Sequence, residues 1–138
     1  MSGFDPEFED LPASLPIFPL TGVLMLPRGQ LPLNIFEPRY LNMVADAMGG
    51  NRMIGMIQPS EAQAEESQGE PAVYTTGCAG RITHFEETED NRFILSLRGV
   101  CRFRITEEVP TTRGYRRCAV DWTPFAFDLT KPENTNIN

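Results

Sequence analysis

Proline and glycine, twelve and eleven residues of 138, cut this chain into short apolar runs and leave one clear place for a helix, from Pro38 to the Gly49-Gly50 pair. Proline suits the first helical turn, where its missing N–H has no partner to lose, and glycine suits a left-handed stop. Phe36 and Leu41 fall at the two positions of a hydrophobic staple across that start. Tyr40, Leu41, Val44, Ala47 and Met48 form an apolar stripe at helical spacing. Met43 lies off the stripe and is expected to be an exposed apolar residue.

The remaining runs read as strands and turns. Residues 15–20 are apolar but carry Pro16 and Pro19, so they are expected to form an edge strand whose missing donors face away from a partner. A second apolar run, 23–26, precedes a turn at 27–30, and 31–36 leads into the helix. Residues 53–57 have the composition of a short buried strand, whereas 59–71 hold four glutamates and no aromatic or β-branched side chain, the composition of a long polar loop. Small residues at 77–80 allow a bulge or a close backbone approach. Two strands, 81–85 and 92–97, flank the acidic turn 86–91 as a hairpin. Cys101, Phe103 and Ile105 alternate with Arg102 and Arg104, and 115–122 offers a last strand. The expected architecture is mainly β with one or more helices, an α+β fold in a single domain over 15–130. A disordered acidic segment, 1–14, precedes it and a polar tail, 131–138, follows.

Charge and residue inventory exclude several functions. The formal net charge is −7, which does not suit a general nucleic-acid binder, although arginines gather late in the chain. Three cysteines without a CxxC pair argue against a secreted disulfide framework and point to the reducing cytoplasm. Neither a signal peptide nor a membrane span is legible. Lys131 is the one lysine, it precedes a proline, and no GxxxxGK[ST] phosphate loop can be built around it. The single histidine, His84, falls in a strand pattern, so it is expected to be a partly exposed strand residue and not a catalytic base. Cys78, His84, Cys101 and Cys118 lack the spacing of zinc ligands, and the Glu86-Glu87 and Glu107-Glu108 neighbours point to opposite sides of a strand or turn. No metal, cofactor or catalytic residue is expected.

The segment Leu31-Pro-Leu-Asn-Ile-Phe-Glu-Pro-Arg-Tyr40 resembles the signature of the N-terminal substrate-recognition domain of Lon-type proteases, a strand running into a helix that starts with Pro-Arg-Tyr. Leu15-Pro-Ile-Phe-Pro-Leu20, the small-residue turn at 77–82 and Leu97-Arg-Gly-Val-Cys-Arg-Phe-Arg-Ile105 support it, and together they span 15–122. The resemblance implies a β-rich pseudo-barrel of the PUA-like type and a role in engaging polypeptides, not cutting them. Family members continue into a helical subdomain, and this chain ends at Asn138 without an ATPase portion or the Ser-Lys dyad of the Lon peptidase. It is therefore expected to be a stand-alone or truncated member.

Glu37, Arg39 and Tyr40 carry the resemblance but sit where a helix start needs a carboxylate and a packed ring, so a structural role is favoured. For polypeptide segments of client proteins, the expected contacts are Met25, Leu26, Leu31, Leu33 and Met43, because methionine and leucine surfaces adapt to varied partners. The alternative is an RNA- or anion-binding module using Arg102, Arg104 and Arg116. No stacking aromatic side chain interleaves with these arginines on the same strand face, and the plainer reading pairs them with the chain's own glutamates.

Overall fold

The computed structural model describes residues 8–59 and 73–129. The 59–71 loop past its first residue, the first seven residues and the 131–138 tail lie outside the described residues. A 3-10 turn at Phe8–Asp10 precedes six strands: β1 (Ser14–Pro19), β2 (Gln30–Ile35), β3 (Met53–Ile57), β4 (Thr76–Glu87), β5 (Phe93–Val109) and β6 (Arg116–Asp121). One α-helix, α1 (Pro38–Met48), lies between β2 and β3, and a 3-10 segment, Thr123–Leu129, follows β6.

Five strands close on themselves. β1 pairs with β3 in parallel, β3 with β4, β4 with β5, β5 with β6 and β6 with β1, these last four antiparallel. β5 makes this closure possible by its length. Its first half carries β2 on the side away from β4, and its second half turns to meet β6, with Gly99 between the two halves. The backbone of Leu26 and Arg28 crosses directly over Gly99, where any Cβ would strike it. The two apolar runs read on either side of Gly99 are thus one bent strand. Register shifts at Ala79/Gly80 and Ile82/His84 supply the local bending, in keeping with the small residues there.

β1 corrects the edge-strand expectation, since it is paired on both sides. β6 takes residues 14–17 and β3 takes 17–19, so Pro16 lies outside one ladder and Pro19 outside the other. The Leu20 N–H donates to the Ile57 carbonyl, which turns the nitrogen of Pro19 to the side where β6 has already ended. A strand can hold prolines in the interior of a sheet when its two partners are staggered. Residues 12 and 13, expected within a disordered segment, are fixed here: the Trp122 indole donates to the Pro12 carbonyl at 2.7 Å and the Val120 amide to the Ala13 carbonyl at 3.0 Å.

Alternation along the strands sorts the core into two clusters. Leu15, Ile17, Met53, Cys101, Phe103, Cys118 and Trp122 pack on one face. Phe18, Leu33, Ile35, Ile54, Met56, Leu95 and Leu97 pack on the other, under α1. β3 is buried throughout, as its composition foretold. In α1 the buried face is Tyr40, Met43, Val44 and Ala47, with Leu41 and Met48 half-buried. Met43, expected in solvent, is 0% exposed. Spacings of three and four run from Tyr40 through Met43 and Val44 to Ala47, and Leu41 and Met48 border that stripe instead of centring it. The helix also stops differently from expectation. Gly49 keeps a right-handed φ of −82°, the amides of Gly49 and Gly50 close 3-10-type bonds to Asp46 and Ala47, and the left-handed residue is Arg52 at φ 64°.

Candidate functional site: the open edge of β2

Within the described residues β2 pairs with β5 alone. The Gly99 N–H donates to the Gly29 carbonyl, and Thr88 N–H to Arg92 across the hairpin end. Alternation from those two bonds directs the amides of residues 31, 33 and 35 into β5 and the peptide groups of 30, 32 and 34 outward. The outer edge of β2 therefore presents three carbonyls but only two N–H donors, at Gln30 and Asn34, because Pro32 has none. That proline is compatible with the strand since it faces no ladder.

Alongside this edge runs a groove of about 380 Å³. Leu31, Leu33 and Ile35 of β2 line it together with Phe18, Leu20 and Val23, and Phe36, Glu37, Arg39 and Tyr40 line the part beside the start of α1. Phe18 and Tyr40 meet at 4.5 Å between centroids with their planes tilted by 43°, and the Arg39 guanidinium lies 4.9 Å over the Tyr40 ring. Arg39 and Glu37 approach to 3.9 Å, both half in solvent. Phe36 is 65% exposed, so the staple expected with Leu41 leaves most of the Phe36 ring to line the groove.

The helix that ends the groove is tied down from its far side. Asp46 receives Arg113 Nε and Nη2 at 3.0 Å each and the Tyr115 hydroxyl at 2.8 Å, while Asn42 donates to the Arg113 carbonyl at 3.0 Å. The Arg113 hydrogen bonds hold the Asp46 carboxyl below its ordinary value, with Tyr115 adding to the effect. Burial raises the Tyr115 phenol, and the Asp46 carboxylate it donates to raises it further.

Of the apolar residues singled out from sequence, Leu31 and Leu33 line this groove. Met25 is buried instead, its sulfur 2.9 Å from where a Cβ on Gly80 would stand. Leu26, 56% exposed, borders a separate depression of about 130 Å³ on the other side of Val23. Met43 belongs to the core and to neither. Leu20, Val23 and Phe36 were not singled out; the signal that marks Phe36 is its place in the motif at 31–40.

The arginines are met by the chain's own acids. Arg102 is bidentate with Asp128, at 2.9 and 2.8 Å. Arg116 reaches Glu108 at 3.0 Å, and Arg104 stands opposite Asp121 in register. The face proposed for anions is thus largely neutralised, which favours the plainer reading. His84 lies exposed on β4, 3.3 Å from Glu86. Burial pushes the Cys78 thiol up to about 12 and the Cys101 thiol up to about 11, so neither is a thiolate near neutral pH. Among the described residues no group of three or more His, Cys, Asp or Glu could hold a metal ion, and no helix is long and apolar enough to cross a membrane.

Comparison with known proteins fits this geometry. The family model of the ATP-dependent protease La (LON) substrate-binding domain matches residues 14–137. Lon protease 2 of Myxococcus xanthus is 31% identical over 129 residues, 94% of this chain and 15% of that protein. The Lon protease of Anaeromyxobacter dehalogenans is 32% identical over 101 residues, 73% of this chain and 12% of that one. This chain thus spans a small fraction of the length of those relatives. A crystal structure of a Lon N-terminal domain protein from Xanthomonas campestris superposes with a TM-score of 0.62 at 32% identity, covering 79% of this chain and 59% of that one. The N-terminal domain of the Mycobacterium avium complex Lon protease gives 0.60 at 14% identity, over 79% and 54% of the two chains, and shares the fold. With the family model matched across nearly the whole described region, the chain belongs to the Lon substrate-binding domain family.

Proposed function

We propose that this domain holds extended polypeptide segments of client proteins by adding them as a strand to the outer edge of β2. It does so without bond chemistry of its own. The observation that carries the reading is the coincidence of an unpaired strand edge with an apolar groove running beside it. Main-chain bonds to the edge supply affinity for any sequence, and every second side chain of the guest reaches the groove. Such a site asks for exposed, extended, partly apolar chain, which folded proteins hide and unfolded ones offer. Three free buried cysteines support a reducing, cytoplasmic setting.

The test is fluorescence anisotropy with a labelled unstructured peptide carrying apolar residues at alternate positions. Saturable binding with weak salt dependence is expected, and Asn34→Pro, which removes one of the two outward donors while leaving the β5 ladder intact, is expected to weaken it several-fold. Leu31→Asp in the groove is expected to do the same. Absence of peptide binding, or RNA binding that falls steeply with salt, would overturn the reading.

A further inference from the structure

We propose that the Thr123–Leu129 segment is a latch on the start of β2, so that docking of this segment and occupation of the β2 groove are energetically coupled. The proposal rests on the polypeptide-binding reading above. Phe125 and Leu129 pack partly buried against the cluster around Phe103, the Cys101 thiol donates to the Phe125 carbonyl at 3.4 Å, and Phe127 is 70% exposed. Asp128 adds the polar fastening. Its side chain is 7% exposed and accepts from the Arg102 amide at 3.0 Å and from the Arg102 guanidinium at 2.9 and 2.8 Å. Arg102 also lies 4.8 Å over the Phe125 ring.

The backbone carbonyl of the same aspartate takes Nη1 of Arg28 at 3.2 Å. Arg28 stands two residues before β2 and occupies the left-handed region at φ 68°, a conformation that a residue with a side chain keeps only when its surroundings hold it. Among the contacts that hold it are its own N–H on the Gly99 carbonyl at 2.8 Å and the guanidinium on the latch. Gly29 closes the turn with its N–H on Leu26 at 2.9 Å, and the next residue is Gln30, the first outward donor of the open edge. Release of Asp128 removes one of the restraints on the hinge from which the edge strand starts. The start of the edge strand, whose ladder to β5 begins at Gln30, is then less firmly held. A guest strand that requires an ordered edge favours the latched state, and by linkage the latched state favours the guest to the same degree.

The experiment compares the full chain with Asp128→Ala and Arg28→Gly, the second chosen because glycine keeps the left-handed turn while removing the side chain that reaches the latch. Affinity for the labelled peptide and amide hydrogen exchange are both read. Expected are a loss of affinity of about five-fold or more in each variant, faster exchange across residues 29–35 with β3 and β4 unchanged, and slower exchange across 123–129 in the unaltered chain when peptide is added. Unchanged exchange in β3 and β4 tells a loosened edge from a destabilised fold. Equal affinity and equal exchange at 29–35 in both variants, with the unaltered chain binding normally, would sink the latch and leave the binding function standing. Failure of the unaltered chain to bind peptide would instead remove both.

Discussion

Met43 illustrates how one residue's placement turns on the exact centre of a helical stripe. The spacing 40, 43, 44, 47 and the spacing 40, 41, 44, 47, 48 are both helical, and the apolar side chains at all six positions allow either. Packing against the sheet selects the first, with Met43 fully enclosed. Met43→Ala is accordingly expected to cost about 2–5 kcal/mol, seen as a lower denaturation midpoint; a change within error would return Met43 to the surface. Acid sensitivity is also decided residue by residue. Arg102 holds the Asp128 carboxyl, and Arg113 the Asp46 carboxyl, below the ordinary carboxylate value. A group whose folded value is depressed contributes its full stability above the unfolded value, about 4, and loses it as pH falls through the folded value. Urea midpoints measured from pH 6 down to pH 3 are expected to drop below about pH 4, and Asp128→Asn is expected to flatten that fall. A midpoint that holds level to pH 3 in the unaltered chain would contradict both assignments.

Among the elements, the two proline-bearing strands show what composition does and does not convey. Pro16, Pro19 and Pro32 all say that an N–H is missing, and on that count β1 and β2 are alike. In β1 the missing donors are absorbed by staggered partners, whereas in β2 the proline faces the open edge. A single sequence lacks the information to separate the cases, because the partners of β1 come from residues 55–57 and 116–119. Pro32 also interrupts what would be a regular row of outward donors, a device that discourages two edges from pairing with each other. Pro32→Val restores the row. It is expected to raise self-association, visible by sedimentation velocity as a concentration-dependent larger species, and a variant that sediments as the unaltered chain does would show that the proline guards nothing. The hairpin of β4 and β5 was legible from its polar turn and flanking alternation, but the fusion of two runs into one seventeen-residue strand was not. Gly99 reads as a break in sequence and acts in the fold as the place where another segment crosses.

At the scale of the molecule, both core clusters draw on β3, β4 and β5, so neither can melt without exposing strands that the other needs. One cooperative unfolding transition is expected, with calorimetric and van't Hoff enthalpies in agreement; two resolved transitions would mean that the face under α1 and the face around Phe103 are separate units. The closed arrangement also explains why the functional surface lies where it does. Barrel closure gives each of five strands partners on both sides over part of its length, and β2, attached outside the ring, pairs on one side alone among the described residues. The helix start at Pro38, the alternation of the late strands, the buried run at 53–57 and the family were all determined by residue order, since each depends on neighbours within a few positions or on a contiguous motif. Tertiary structure alone decided which edge stays open, which arginines are matched and which methionine is enclosed. Those outcomes depend on groups far apart in the chain, Arg113 on Asp46 across 67 residues and Arg28 on Asp128 across 100, and such meetings exist only once the strands have paired.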